Sequence, residues 1–398
     1  MRLGFHYHIP AIKKNDLIYM PGYLGRFVDS LASHCDKVLC FMHTPMPDEE
    51  QEMDYALHSR NVELVSLGVH SSLPRRVLGV RNVMRALHSS CDQLDALLIR
   101  GPSPLLPWVA KACRSLPIVL LLVGDQLAGV DDLPQPRWRK EAIRTFWRWN
   151  NWQQLNLAKR SLTFVNSHLL YQELEGKVQN LVETRTTTLE ESDFYVRDDT
   201  CLDRPVRLLY TGRMDPAKGL LEMVEALSIL VKQGEDVVID FVGWPEKGST
   251  ILEQIQQFGF KNQVADRIFF HGYKPVGSEL FAFYKHADIY LIASQSSEGF
   301  PRTIWEAMAH SLPVVATKVG SIPDFIEGAA VIIEPHNIAS IADAIKGLIN
   351  DPKKRQLLIR MGQKLARENT LDRRSREMMS VISNHLKTLR NDGKSTSY

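Results

Sequence analysis

Short, nearly unbroken apolar runs recur along this chain, each followed by a longer stretch with helical patterning, and the whole series runs twice. In the first half the runs fall at 2–6, 37–43, 62–67, 96–99, 117–123 and 162–166. Runs that are apolar throughout, rather than at alternate positions, are those of parallel strands buried on both faces. The stretches between them are long enough for crossover helices, so βαβ units are expected. A polar, acid-rich stretch at 190–205 interrupts the pattern and reads as a linker. The series restarts at 206–210, 237–242, 268–271, 289–293, 314–317 and 331–333, with helices such as 220–232 and 338–349 between the strands. The expectation is α/β, with two doubly wound halves. Boundaries are placed at 1–203 for the N-terminal domain and 204–372 for the C-terminal domain. A last helix at 373–398 is expected to pack back on the N-terminal domain, with a frayed tail from 391.

Length and composition fit this division. A chain of 398 residues exceeds one ordinary domain, and 44% apolar with 24% charged residues is the balance of a globular protein with a real core. A net charge of +2 supplies no broad cationic field, which argues against nucleic acid as the main partner. The five cysteines, Cys35, Cys40, Cys91, Cys113 and Cys201, contain no C-x-x-C and no zinc spacing. Reduced, buried thiols in the cytoplasm are therefore expected, with no metal site. The opening MRLGFHYH is too short and polar for a signal-peptide core, and the longest apolar run, near 116–123, is far below the roughly 18 residues of a membrane span.

In doubly wound sheets ligands gather at the carboxyl ends of the strands, so chemistry is sought where a strand gives way to a helix. Residues 210–220, YTGRMDPAKGL, place Arg213 and Lys218 in such a junction, with Gly212 and Gly219 able to approach a ligand or adopt positive φ. Alone, this is equally a surface turn with two solvated charges, and it is not a Walker A loop. Residues 297–310, SEGFPRTIWEAMAH, follow the strand at 289–293. Their amides at a helix start favour a phosphate. Alone, Glu298 and Glu306 read first as an acidic turn helping its own helix and an ordinary surface glutamate.

Together, G-R-x-x-x-x-K-G followed by E-x7-E in E-G-F-P resembles the retaining glycosyltransferases of family 4, also called glycosyl transferases group 1. The flanking AMA at 307–309, LPVVAT at 312–317 and VGSIP at 319–323 agree. The resemblance is strong over about 207–348 and weaker before that. It implies the GT-B fold, two Rossmann-like domains facing an interdomain cleft, with acceptor on the first and nucleotide sugar on the second. By the same resemblance Arg213 and Lys218 bind the donor diphosphate and stabilise its charge as it leaves. Glu306 bonds the ribose; Glu298, with the amides of Gly299, Phe300, Arg302 and Thr303, holds the donor sugar and phosphate. The segment 271–274, HGYK, resembles the nucleobase contact, although Tyr273 reads equally as a packed core aromatic.

The reaction implied is retaining, same-face transfer of a hexose-type unit to a glycan or lipid-linked oligosaccharide in cell-surface polysaccharide biosynthesis. No D-x-D triplet occurs, so cations rather than a metal are expected to stabilise the leaving group, and no cofactor is called for beyond the donor itself. A degenerate GT-B protein that only binds a nucleotide sugar, or an epimerase or phosphorylase of that fold, remains the alternative.

The first half departs from the family pattern twice. Residues 22–27, GYLGRF, match its glycine-rich turn at Gly22, Gly25 and Arg26 but carry Tyr23 in place of a glycine. Where relatives place His-Asp after the strand at 117–123, this chain has Gly124 and Asp125. Asp125 is then either a contact to donor or acceptor or a simple cap. The segment 137–152 interleaves Trp138, Trp147, Trp149 and Trp152 with five basic residues, and 60–160 holds fifteen Lys or Arg against seven Asp or Glu. That composition suits peripheral contact with anionic lipid at the inner face of a membrane, or a lipid-diphosphate acceptor. It suits equally a core-packed helix with a solvated basic face.

Overall fold

A computed structural model describes residues 1–123, 136–245, 248–296 and 299–395. The chain divides into two compact units, Met1–Thr186 with Leu371–Tyr398, and Thr187–Thr370.

In the first unit the strands are Arg2–His6 (β1), Ile12–Lys14 (β2), Leu17–Met20 (β3), Lys37–Thr44 (β4), Tyr55–Ala56 (β5), Val62–Val69 (β6), Ala96–Gly101 (β7), Ile118–Leu122 (β8), Leu162–Val165 (β9) and Asn180–Glu183 (β10). Seven of them form a parallel sheet in the order β10-β9-β8-β7-β1-β4-β6. Its two faces are both apolar, which is why the runs do not alternate in polarity. Leu3, Phe5, Cys40 and Leu98 point into one core, while Leu39, Phe41, Leu97 and Ile99 point into the other. The edge strand β10 was not expected, because its four residues are only half-buried and carry no apolar run.

The small antiparallel sheet β2-β3-β5 was not expected either. Its turn is Asn15-Asp16, with φ of 49° and 63°, the left-handed pair that a two-residue hairpin requires. It falls where the sequence suggested only a crossover.

In the second unit the strands are Val206–Thr211 (β11), Val237–Val242 (β12), Ile268–Phe270 (β13), Ile289–Ile292 (β14), Val314–Thr317 (β15) and Val331–Ile333 (β16). They too are parallel, in the order β13-β12-β11-β14-β15-β16. Leu208, Ile239 and Leu291 face one core; Leu209, Tyr290 and Val314 face the other.

Three expectations change. The stretch read as a linker is docked on the second unit, so that unit starts at Thr187 rather than 204. Leu189 is fully buried in the core that also holds Trp305, Asp199 receives Arg355 Nε and Nη2 at 2.8 and 3.0 Å, and Cys201 N–H donates to Asp288 at 2.7 Å. Asp199 and the Cys201 backbone thus pair with distant partners rather than with water. The final helix, Leu371–Ser395, belongs to the first unit, whose core receives Met378, Ile382 and Leu386; it continues past the expected fraying point.

The third change concerns the thiols. Cys91 ends the helix Val80–Cys91, Cys113 caps the helix Leu106–Ala112, and the two sulfurs are joined in a disulfide. Cys35, Cys40 and Cys201 are free, and burial pushes the Cys40 thiol up to about 12. A pair 22 residues apart without a motif gives no sequence signal.

Candidate functional site

In the second sheet the chain moves outward from β11 to β12 and β13, then returns to add β14 on the other side. The loops after β11 and β14 therefore leave in opposite directions, which opens a crevice at the carboxyl ends of these strands. The first motif and the described residues of the second, from Gly299 on, follow these strands.

The loop after β11 is held in shape by its own residues. Asp215 caps the short turn Pro216–Lys218 by accepting from Ala217 N–H at 2.9 Å, and Pro216 suits that first position. Tyr210 Oη donates to the Arg213 carbonyl at 2.7 Å. Gly219 ends the turn at φ 69°, and a Cβ on it would lie 2.0 Å from the Ala293 carbonyl oxygen. Gln295 N–H donates to the Ala217 carbonyl at 2.8 Å. The turn that carries Lys218 is thus fastened directly to the end of β14. On its other flank, Gly212 and Gly243 both have φ 144°, and a Cβ on Gly243 would meet the Gly212 carbonyl at 1.8 Å. Arg213 is exposed and Lys218 half-buried.

Glu298 lies outside the described residues, as does Asp125. After it, Gly299 accepts from Ser321 N–H at 3.1 Å, and Phe300 is buried against Trp305 and Phe325. Arg302 precedes the helix Thr303–Ala309, which is only two turns long.

Glu306 is 1% exposed. Its two oxygens accept from Thr188 Oγ1 at 2.7 Å and Tyr284 Oη at 2.8 Å. Since the Tyr284 proton is committed to Glu306, the 2.6 Å contact from Thr211 Oγ1 must be a bond that Thr211 donates. Tyr290 Oη stands 3.2 Å from the same Thr211 oxygen. Burial first, then the Glu306 charge, raises the Tyr284 hydroxyl well above its ordinary range. The carboxylate therefore reaches, through hydroxyls, the last residue of β11, one before Gly212. Thr188 and Tyr284 had no motif to announce them.

At the far side of the crevice, Trp244 after β12 and Tyr273 after β13 meet edge to face, with centroids 4.7 Å apart. They are 42% and 40% exposed, so Tyr273 is not a core aromatic. Trp244 was missed because one aromatic after a strand carries no pattern.

The first unit's glycine-rich turn is used differently. Gly22 N–H donates to Asp54 Oδ1 at 2.7 Å, and Gly25 lies under Tyr55, whose ring would be 2.3 Å from a Cβ there. Both glycines serve packing within that unit.

Residues 198–365 match the family described as Glycosyl transferases group 1. The matched stretch lies within the second unit. Among curated relatives, the amylovoran biosynthesis glycosyltransferase AmsK of Erwinia amylovora is 30% identical over 35% of this chain and 34% of its own length. The capsular polysaccharide biosynthesis glycosyltransferase CapM of Staphylococcus aureus is 30% identical over 39% of this chain and 40% of its own. The chain spans only about two fifths or less of the length of these relatives. Among solved structures, Anabaena Alr3699/HepE, crystallised with UDP and glucose, superposes with a TM-score of 0.71 at 18% identity, covering 96% of this chain and all of that one. Sucrose-phosphate synthase of Thermosynechococcus elongatus gives 0.72 at 17%, covering 98% and 100%. These likenesses are of fold: two α/β units with parallel sheets, the GT-B fold.

Proposed function

We propose that the protein is a retaining glycosyltransferase that moves a hexose-type unit from a nucleoside diphosphate sugar to a glycan or lipid-linked saccharide in polysaccharide biosynthesis. The observation that carries this reading is the fastening of the Lys218 turn to the end of β14 through Gly219–Ala293 and Ala217–Gln295. That join brings the two motifs, neither informative alone, to one crevice. Alr3699/HepE was crystallised with UDP and with UDP-glucose, and two curated relatives are named for amylovoran biosynthesis and for capsular polysaccharide biosynthesis.

On this reading Arg213 and Lys218 stabilise the charge that grows on the departing diphosphate, without need of a metal. Preorganised donors of this kind typically account for about 10²–10³-fold in rate each. Trp244 and Tyr273 offer an aromatic surface for the base. The acceptor hydroxyl attacks the face the nucleotide leaves, and a leaving-phosphate oxygen takes its proton.

A panel of nucleoside diphosphate sugars tests this directly. The true donor raises the melting temperature, by about 2.7 kcal/mol of stabilisation at a hundredfold excess over Kd, and acceptor then releases nucleoside diphosphate with retained anomeric configuration by NMR. Binding without release makes the protein a sugar-nucleotide binder; an inverted product removes same-face attack.

The same reading extends to a membrane-linked acceptor. The helix Arg137–Ala158 buries Asn150 and Gln154 but exposes Trp138, Trp149 and Trp152. Beside it a 650 Å³ cavity is lined by Trp108, Trp149, Lys111, Arg114 and Arg160. Basic side chains with interfacial aromatics suit anionic lipid. Sedimentation with phosphatidylserine-containing liposomes is expected at low salt and not with neutral ones; absence of binding at any salt refutes it. Among the described residues no helix is long and apolar enough to cross a membrane.

A further inference from the structure

The first sheet has its own switch point, between β1 and β7, where His6 Nε2 meets Ser103 Oγ at 3.1 Å. Around the carboxyl ends of β1, β4, β6 and β7 the structure gathers His6, His8, His43, His70 and Arg100, and the helix Leu73–Leu78 adds Arg76. Several of their polar atoms are buried and have no hydrogen-bond partner among the described residues: Nε2 of His43, Nε2 of His70, Nδ1 of His8, Nε and Nη1 of Arg76, and Nε of Arg100. His43 is 1% exposed and Arg100 8%. Buried polar groups are ordinarily hydrogen-bonded, and one left alone is costly. So many in one place call for something to bond.

What they call for is set by charge. Burial first, and then the charges of His6, Arg76 and His70, pull His43 down to about 3; His8 falls to about 3 for like reasons, with Arg100 added. Glu49 faces Arg76, but its oxygens already accept from His70 Nδ1 at 2.6 Å and Met46 N–H at 2.8 Å. His43 Nδ1 donates to the Gly68 carbonyl at 3.2 Å, so its Nε2 holds a lone pair for a hydroxyl. Arg76 and His43 together line a 240 Å³ pocket with Ser66, Gly68 and Asn82, about eight water volumes at ~30 Å³ each.

We propose that this pocket binds an anionic group, phosphate or carboxylate, of the acceptor saccharide, with Arg76 on the anion and His43 on a neighbouring hydroxyl. Only the word acceptor rests on the transferase reading; the pocket rests on its own atoms. A guanidinium bonds two oxygens of either group at once, and a low-dielectric surrounding strengthens the attraction. A neutral sugar would leave Arg76 unsatisfied.

The test titrates the full chain with inorganic phosphate, glucose 6-phosphate, glucuronate and glucose by calorimetry, with imidazole signals followed by NMR. The charged probes are expected to bind and to shift the His43 resonance, while glucose does neither. Stronger binding of glucose 6-phosphate or of glucuronate names the source of the charge. Arg76→Ala is expected to weaken binding at least about 10-fold, with the UDP-induced thermal shift unchanged. If that variant does not fold, the His43 shift in the unaltered protein still decides. Phosphate that UDP displaces, a silent His43, equal binding of glucose, or full affinity in Arg76→Ala each overturn the proposal. Failure of UDP to stabilise the protein, with Arg76-dependent phosphate binding intact, removes the transferase reading and leaves the pocket.

Discussion

Lys218→Ala is expected to lower turnover at least about 100-fold, roughly 2.7 kcal/mol of lost transition-state stabilisation, while the melting temperature stays where it was. The second half of that expectation follows from how the turn is built. Asp215 caps it through Ala217 N–H, Pro216 sets its first position and Gly219 supplies the left-handed end. The lysine contributes its backbone to this turn, and alanine provides the same backbone. What alanine removes is a cation at the carboxyl end of β11, where the leaving diphosphate would accumulate charge. A bond made mainly in the transition state lowers kcat and kcat/KM together, so KM for the donor should move little. Lys218→Arg is not expected to restore full rate, since a planar fork does not replace a compact ammonium. Release of nucleoside diphosphate, measured with saturating acceptor, is the readout. Unchanged kcat would remove Lys218 from the chemistry, and a large fall in melting temperature would assign it a structural role instead.

The strands were legible because they are buried on both sides. Ile118–Leu122 is buried at every position, and its sequence is a plain apolar run; Val237–Val242 is buried throughout as well, with its one charge, Asp240, paired to Arg207 and His271. The positions of Arg213, Lys218 and Glu306 were legible because the spacing of a strand-end motif is local. What escaped depends on contacts between residues far apart or on elements too short to show a period. Thr188 reaches Glu306 across 118 residues, and Arg355 holds Asp199 across 156. The acid-rich stretch looked like a linker because its partners are elsewhere in the sequence. The hairpin at Asn15-Asp16 and the strand Asn180–Glu183 are three or four residues a side. The histidine and arginine cluster of the first unit draws on four strands and a helix, none of which carries a motif.

Gly219→Ala is expected to weaken UDP binding by more than about 10-fold and to lower the melting temperature of the second unit by roughly 4–10 °C, on a cost of about 2–3 kcal/mol. Two effects combine at this position. At φ 69° any side chain carries backbone strain, and the new Cβ would stand 2.0 Å from the Ala293 carbonyl oxygen and 2.8 Å from its carbon. Neither neighbour is the free end of a flexible side chain, so backbone must move. The end of β14 cannot move alone, because the Ser294 carbonyl accepts from Thr317 Oγ1 at 2.7 Å and ties it to β15. The Lys218 turn must then lift away from the β14 loop, separating the two motifs. Gly234→Ala isolates the first effect: it lies in the same unit at φ 89° with nothing within 4 Å of a Cβ. That variant is expected to lose about 1 kcal/mol through strain and to bind UDP as before. A thermal melt of both variants, with and without UDP, separates clash from strain. If the two behave alike, the join between Gly219 and Ala293 does not hold the donor crevice together.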